Sequence, residues 1–128
     1  DVILLIVAAL SKNQLDDFFH LSKELGMRAL IEVHTPSELE SALGISPEII
    51  GVNSRNLKTL DVDAQAFAQL IPLIPTTIAR VAESGISTRA DVEFAQEHGA
   101  TAILVGEALV RSENSNVAMA QLLGRLAQ

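Results

Sequence analysis

Five short apolar runs, each ending in polar or glycine residues and each followed by a helical stretch, constrain the fold of this chain more than any other feature. The runs are Val2 to Ala8, Ala29 to Val33, Ile49 to Val52, Ile78 to Ala82 and Ala102 to Val105. Each is nearly continuous rather than alternating, the pattern of a strand in a parallel sheet covered on both faces. The helical stretches are well punctuated. Ser11 can cap a helix to about Leu25, with Leu15, Phe18, Phe19, Leu21 and Leu25 on a broad apolar stripe and Gly26 as terminator. Thr35, Pro36 and Glu38 read as a capping box before a short helix that stops at Gly44. A third helix is expected over about Asp63 to Leu70, after which Pro72 and Pro75 restrict the chain. Ser87 is expected to cap a fourth, ending at Gly99, and a fifth runs from about Asn116 to the C-terminus.

A strand therefore recurs roughly every 20 to 30 residues, which describes parallel βα units joined by right-handed crossovers. No linker or low-complexity segment interrupts residues 1–128, so a single (βα)5 domain is expected. Two α/β architectures accept five such units: a doubly wound flavodoxin-like sheet, or five consecutive units of a TIM (βα)8 barrel. The pattern alone does not choose between them.

Composition removes several function classes. The absence of cysteine rules out a disulfide scaffold, cysteine zinc ligands, an iron-sulfur cluster and thiol catalysis, and makes a reducing cytoplasm the expected setting. A net charge of -7 has the wrong sign for gaining affinity from nucleic-acid phosphates, whereas an anionic small molecule can still be held by a few basic groups and backbone N–H donors. No apolar run approaches the roughly 20 residues of a membrane span. Val2 to Leu10, preceded by Asp1 without a basic flank and rich in β-branched residues, is not expected to be a signal peptide. The four aromatic residues, Phe18, Phe19, Phe67 and Phe94, fall in helical stretches and read as packing residues rather than a stacking platform.

Parallel sheets place their ligands at the carboxyl ends of the strands, so the side chains found there carry the functional signal. The second strand ends Leu30-Ile31-Glu32-Val33-His34, the third Gly51-Val52-Asn53-Ser54-Arg55, the fourth Ala82-Glu83-Ser84-Gly85-Ile86 and the fifth Val105-Gly106-Glu107. Glu32 is the most informative, because a carboxylate inside an apolar strand is costly unless paired and is then suited to general acid or base work. A structural ion pair, or a rim carboxylate in water, is the alternative. His34, without a second histidine beside it, reads as a solvated or hydrogen-bonding side chain rather than a metal ligand. Asn53 can orient a ligand or cap a turn, and Arg55 can clamp an anion or pair with a surface carboxylate. Gly51 leaves room for another group to approach its strand. Ser84-Gly85 and Gly106-Glu107 supply two glycine-containing turns of the kind that bind phosphate through backbone N–H groups; taken singly, each only marks a turn.

Together the segments Asp1 to Leu10, Leu30 to His34, Ile50 to Leu57, Val81 to Ile86 and Leu104 to Leu109, with Arg111 shortly after, resemble indole-3-glycerol-phosphate synthase over essentially the whole chain. The resemblance implies a (βα)8 barrel of which these are the fourth to eighth units. It also implies a lyase of tryptophan biosynthesis, a carboxy-lyase that closes the indole ring of 1-(2-carboxyphenylamino)-1-deoxyribulose 5-phosphate with loss of carbon dioxide and water, using no metal or organic cofactor. By the same resemblance Glu32 is the acid/base carboxylate of the dehydration, Asn53 and Glu83 position substrate and charged neighbours, and Arg55 and Ser84 support the pocket. Gly85, Gly106 and Glu107 match the phosphate-side turns, Glu107 through its N–H, and Leu4 and Ile6 add apolar wall.

The family's first strand carries Glu-x-Lys near a Ser-Pro-Ser phosphate segment, and its third supplies the lysine that acts as general acid; none is found here. The three lysines, Lys12, Lys23 and Lys58, fall in a loop, a helix and a loop. Losing a proton donor of this kind costs at least ~10²-fold, so the chain alone is expected to be inactive or nearly so. The open piece is expected to form a homodimer through exposed strand edges, or to join the missing N-terminal barrel units. The alternative from another class is a non-catalytic phosphate-ligand or scaffold module, rearranged as a flavodoxin-like sheet. A receiver domain fails on its acidic residues and lysine, and a flavodoxin on its phosphate loop.

Overall fold

The computed structural model describes residues 1–56 and 59–125. Its strands are β1 (Val2–Ile6), β2 (Arg28–Val33), β3 (Ile49–Asn53), β4 (Ala79–Glu83) and β5 (Ala102–Leu104). Between them lie α1 (Lys12–Glu24), α2 (Pro36–Leu43), α3 (Gln65–Leu70) and α4 (Arg89–Glu97), and after β5 come α5 (Glu107–Val110) and α6 (Ser115–Leu122). All neighbouring strands are parallel, in the order β1-β2-β3-β4-β5.

That order decides the architecture. A flavodoxin-like sheet reverses direction after its first crossover and places the first strand inside the sheet. Here every crossover advances by one strand, β1 stays at the edge, and the five units form an arc of a TIM-type barrel. The flavodoxin-like alternative is thereby overturned.

One face of the sheet holds the core. Leu5, Ile31, Val33, Ile50, Val52 and Ala82 pack against Leu15 and Phe19 of α1, Leu39 and Ala42 of α2, Phe67 and Leu70 of α3, and Val92 and Ala95 of α4. Burying a side chain of this size stabilises by about 1.5–3 kcal/mol. On the opposite, concave face the alternation of strand side chains presents Leu4, Glu32, Asn53, Glu83 and Leu104. Among the described residues no helix is long and apolar enough to cross a membrane.

The helix signals need four corrections. The broad stripe of α1 divides: Leu15 and Phe19 are buried, whereas Phe18, Leu21 and Leu25 stand in solvent. Ser11 forms its box with Gln14, as its sequence position permits, but at α2 the Thr35 hydroxyl caps Glu38 N–H while the Glu38 carboxylate accepts from His34 N–H instead. Thr88, not Ser87, caps α4, because Thr88 is the residue with extended backbone before the first helical turn. The chain after β5 forms two short helices rather than one, with Asn114 capping α6, and the end of the expected fifth helix lies outside the described residues.

Candidate active site

Register brings the acidic residues together. Ile6, Glu32 and Gly51 form one row across β1, β2 and β3, and Asn53, Glu83 and Leu104 form the next across β3, β4 and β5. Glu83 leans from the upper row toward Glu32 and lies over Gly51, where a Cβ would overlap Glu83 Oε1. Gly51 therefore serves a close approach, with a carboxyl group as the neighbour.

Glu32, Asn53 and Glu83 are all buried. Asn53 Nδ2 donates to Glu32 Oε1 at 3.1 Å, and Asn53 Oδ1 accepts from Arg55 N–H at 2.9 Å. The Asn53 carbonyl accepts from His34 Nδ1 at 2.7 Å, so the asparagine is held through both its side chain and its backbone. This role of His34 was not legible in sequence, since it depends on the β2–α2 turn folding back onto the end of β3. No donor among the described residues reaches Glu83 Oε1. Burial first, then a hydrogen bond to Glu32 and the repulsion of its charge, pushes the Glu83 carboxyl up to about 8. At neutral pH Glu83 is thus held as a carboxylic acid beside Glu32, an arrangement of two buried carboxyl groups suited to proton exchange.

Above β4 the chain turns through two consecutive left-handed residues, Ser84 at φ 65° and Gly85 at φ 66°. The Ser54 hydroxyl, fully buried, donates to the Ser84 carbonyl at 3.0 Å and steadies this turn. Gly85 is packed so closely that a Cβ would meet Val62 Cγ1 at 2.6 Å and Ser54 Oγ at 2.9 Å, while Gly106 faces open space. A concave cavity of about 660 Å3 is lined by Leu4, Glu32, Asn53, Arg55, Glu83, Ser84, Gly85, Gly106, Glu107 and Arg111. Of the site residues expected from sequence, only Ile6 lies elsewhere: its end of β1 opens on a smaller hollow shared with Glu32 and His34. The Glu107 side chain, assigned no role from sequence, pairs with Arg55 and Arg111. Lys12 opens α1 rather than sitting in a loop, Lys23 lies over the Phe19 ring, and Lys58 is outside the described residues.

Comparison with known proteins gives this geometry its context. A profile of the family described as "Indole-3-glycerol phosphate synthase" matches residues 1–122. The protein of that name from Kineococcus radiotolerans is 52% identical over 124 residues, covering 96% of this chain and 45% of the relative. The one from Paenarthrobacter aurescens is 56% identical over 110 residues, covering 86% and 40%. The chain spans less than half the length of these relatives. Among solved structures, the thiamine phosphate pyrophosphorylase of Pyrococcus furiosus aligns at TM-score 0.76 over 98% of this chain and 58% of that one, with 16% identity, a likeness of fold alone. With its profile match over nearly the whole sequence, the chain belongs to the indole-3-glycerol phosphate synthase family.

Proposed function

We propose that this chain contributes the acid–carboxylate half of an indole-3-glycerol phosphate synthase site. The complete protein then closes the indole ring of 1-(2-carboxyphenylamino)-1-deoxyribulose 5-phosphate, releasing carbon dioxide and water, as a lyase of tryptophan biosynthesis in the cytoplasm. The observation that carries this reading is the buried Glu32–Glu83 pair tied to Asn53 at adjoining strand ends, on the floor of the cavity. In it Glu32 exchanges the proton of the dehydration. Asn53 keeps the Glu32 carboxylate aimed at the cavity, and the neutral Glu83 avoids a second buried charge beside it. Gly85, Gly106 and the Glu107 N–H form the phosphate side, Arg55 and Ser84 support the pocket, and Leu4 gives apolar wall. Residues 1–128 act as one (βα)5 unit in this proposal.

Ring closure also needs a proton donor at the substrate carbonyl. Among the described residues no lysine lines the cavity. By the family resemblance, that donor is assigned to a part of the relatives outside the segment matched here.

The test is an assay of indole-3-glycerol phosphate formation by the purified chain, alone and co-expressed with the remaining part of the Kineococcus relative. Turnover is expected only in the second case, and Glu32→Gln should lower it by at least ~10²-fold. Turnover by the chain alone, free of host enzyme, overturns the division of the site. Full activity of the Glu32→Gln assembly overturns the role given to Glu32.

A further inference from the structure

Glu107 is an anion at the rim of a cavity read as holding phosphate, an arrangement that should repel the ligand. Its contacts explain how it is accommodated. Glu107 Oε2 accepts from Arg55 Nη2 at 3.2 Å, and Glu107 Oε1 pairs with Arg111 Nη2 at 3.0 Å. Arg55 also donates from Nη1 to the Leu60 carbonyl at 3.0 Å, which fixes its guanidinium with one edge toward backbone and the other toward Glu107. The two arginines come from distant parts of the chain, one after β3 and one at the end of α5, and Glu107 is the group that joins them over the cavity.

The bridge is exchangeable. The side chains of Arg55, Glu107 and Arg111 are 34%, 58% and 79% exposed, so water screens both pairs and each is weak. A phosphate dianion carries three acceptor oxygens and more charge than a carboxylate, and guanidinium forks bind it in two-pronged fashion. A monoanionic carboxylate ligand offers the arginines nothing that Glu107 does not already supply.

We propose that Glu107 is an internal counter-anion that holds Arg55 and Arg111 over the cavity and is displaced by a ligand phosphate group, so that it sets both the affinity and the preference for dianions. The proposal rests on the phosphate reading of this cavity, and it adds Arg111 to the groups that meet the ligand.

The test is a titration of the chain with inorganic phosphate and, separately, with acetate at low ionic strength, followed by the backbone amide NMR shifts of Gly85 and Gly106. Glu107→Gln should bind phosphate roughly threefold to tenfold more tightly, the effect expected on releasing two exposed ion pairs. Glu24→Gln makes the same change in net charge at the exposed far end of α1 and should behave as wild type. The preference for phosphate over acetate should narrow in Glu107→Gln, and adding Arg111→Gln should withdraw the gain in phosphate affinity. Phosphate shifts at Gly85 and Gly106 that are equal in wild type, Glu107→Gln and Glu24→Gln overturn the counter-anion role while leaving the phosphate reading intact. Absence of those shifts in every form overturns the phosphate reading and this proposal with it.

Discussion

Glu83 makes a residue-scale prediction whose sign follows from its environment. Its carboxyl is raised from 4.5 to about 8 by burial, by its hydrogen bond to Glu32 and by the Glu32 charge. Between those values the folded chain binds a proton at Glu83 that the unfolded chain has released, so the contribution of this group to stability is greatest below about 4.5 and is lost as pH rises through about 8. Urea denaturation at pH 5 and pH 9 should therefore show this group weakening the fold at the higher pH, by on the order of a few kcal/mol. In Glu83→Gln that fall should shrink, and an unchanged pH difference counts against the buried acid–carboxylate pair. The presence of Glu32, Asn53 and Glu83 was legible because polar residues are conspicuous at the ends of apolar runs. Their mutual contacts were not: they depend on the register that sets Asn53 beside Glu83 and leaves Gly51 beneath the Glu83 carboxyl.

At the scale of elements, helix starts show how local chemistry can be read correctly in kind and wrongly in place. Ser87 and Thr88 are adjacent hydroxyl residues before the same helix, and both donate to Asp91 Oδ2 through backbone and side chain. Burial alone would raise the Asp91 carboxyl, but these four donors outweigh it and hold it below its ordinary value. Only Thr88 returns the bond, its Oγ1 accepting from Asp91 N–H at 3.3 Å. Thr88→Ala should accordingly cost about 1 kcal/mol, read as a lower urea midpoint, and Ser87→Ala less. Equal losses at the two positions would contradict the cap assignment. The division of the α1 stripe has a similar origin. Periodicity finds every apolar residue within reach of one broad face, but the sheet beneath α1 covers only Leu15 and Phe19.

At the scale of the whole molecule, the arc leaves two strand edges, β1 and β5, without a strand on their outer sides among the described residues. Beside these edges Leu4 and Leu104 on the concave face, Phe18, Leu21 and Leu25 around α1, and Val117 and Met119 on α6 are all exposed. Apolar surface and open backbone of this kind favour association. Light scattering is expected to give a mass that rises with concentration, and co-expression with the complementary units of a relative should suppress that rise. A monomer at every concentration would show that the exposed edges do not drive association. The sequence by itself determined the five βα units, their parallel sense and the polar residues at the strand ends, because strand and helix periodicities and turn chemistry act over a few residues. Only the tertiary structure decided between an arc and a reversed sheet, paired Glu83 with Glu32, and turned Glu107 onto two arginines. Those outcomes depend on strand order, register and the approach of segments up to 52 residues apart, which no local pattern encodes.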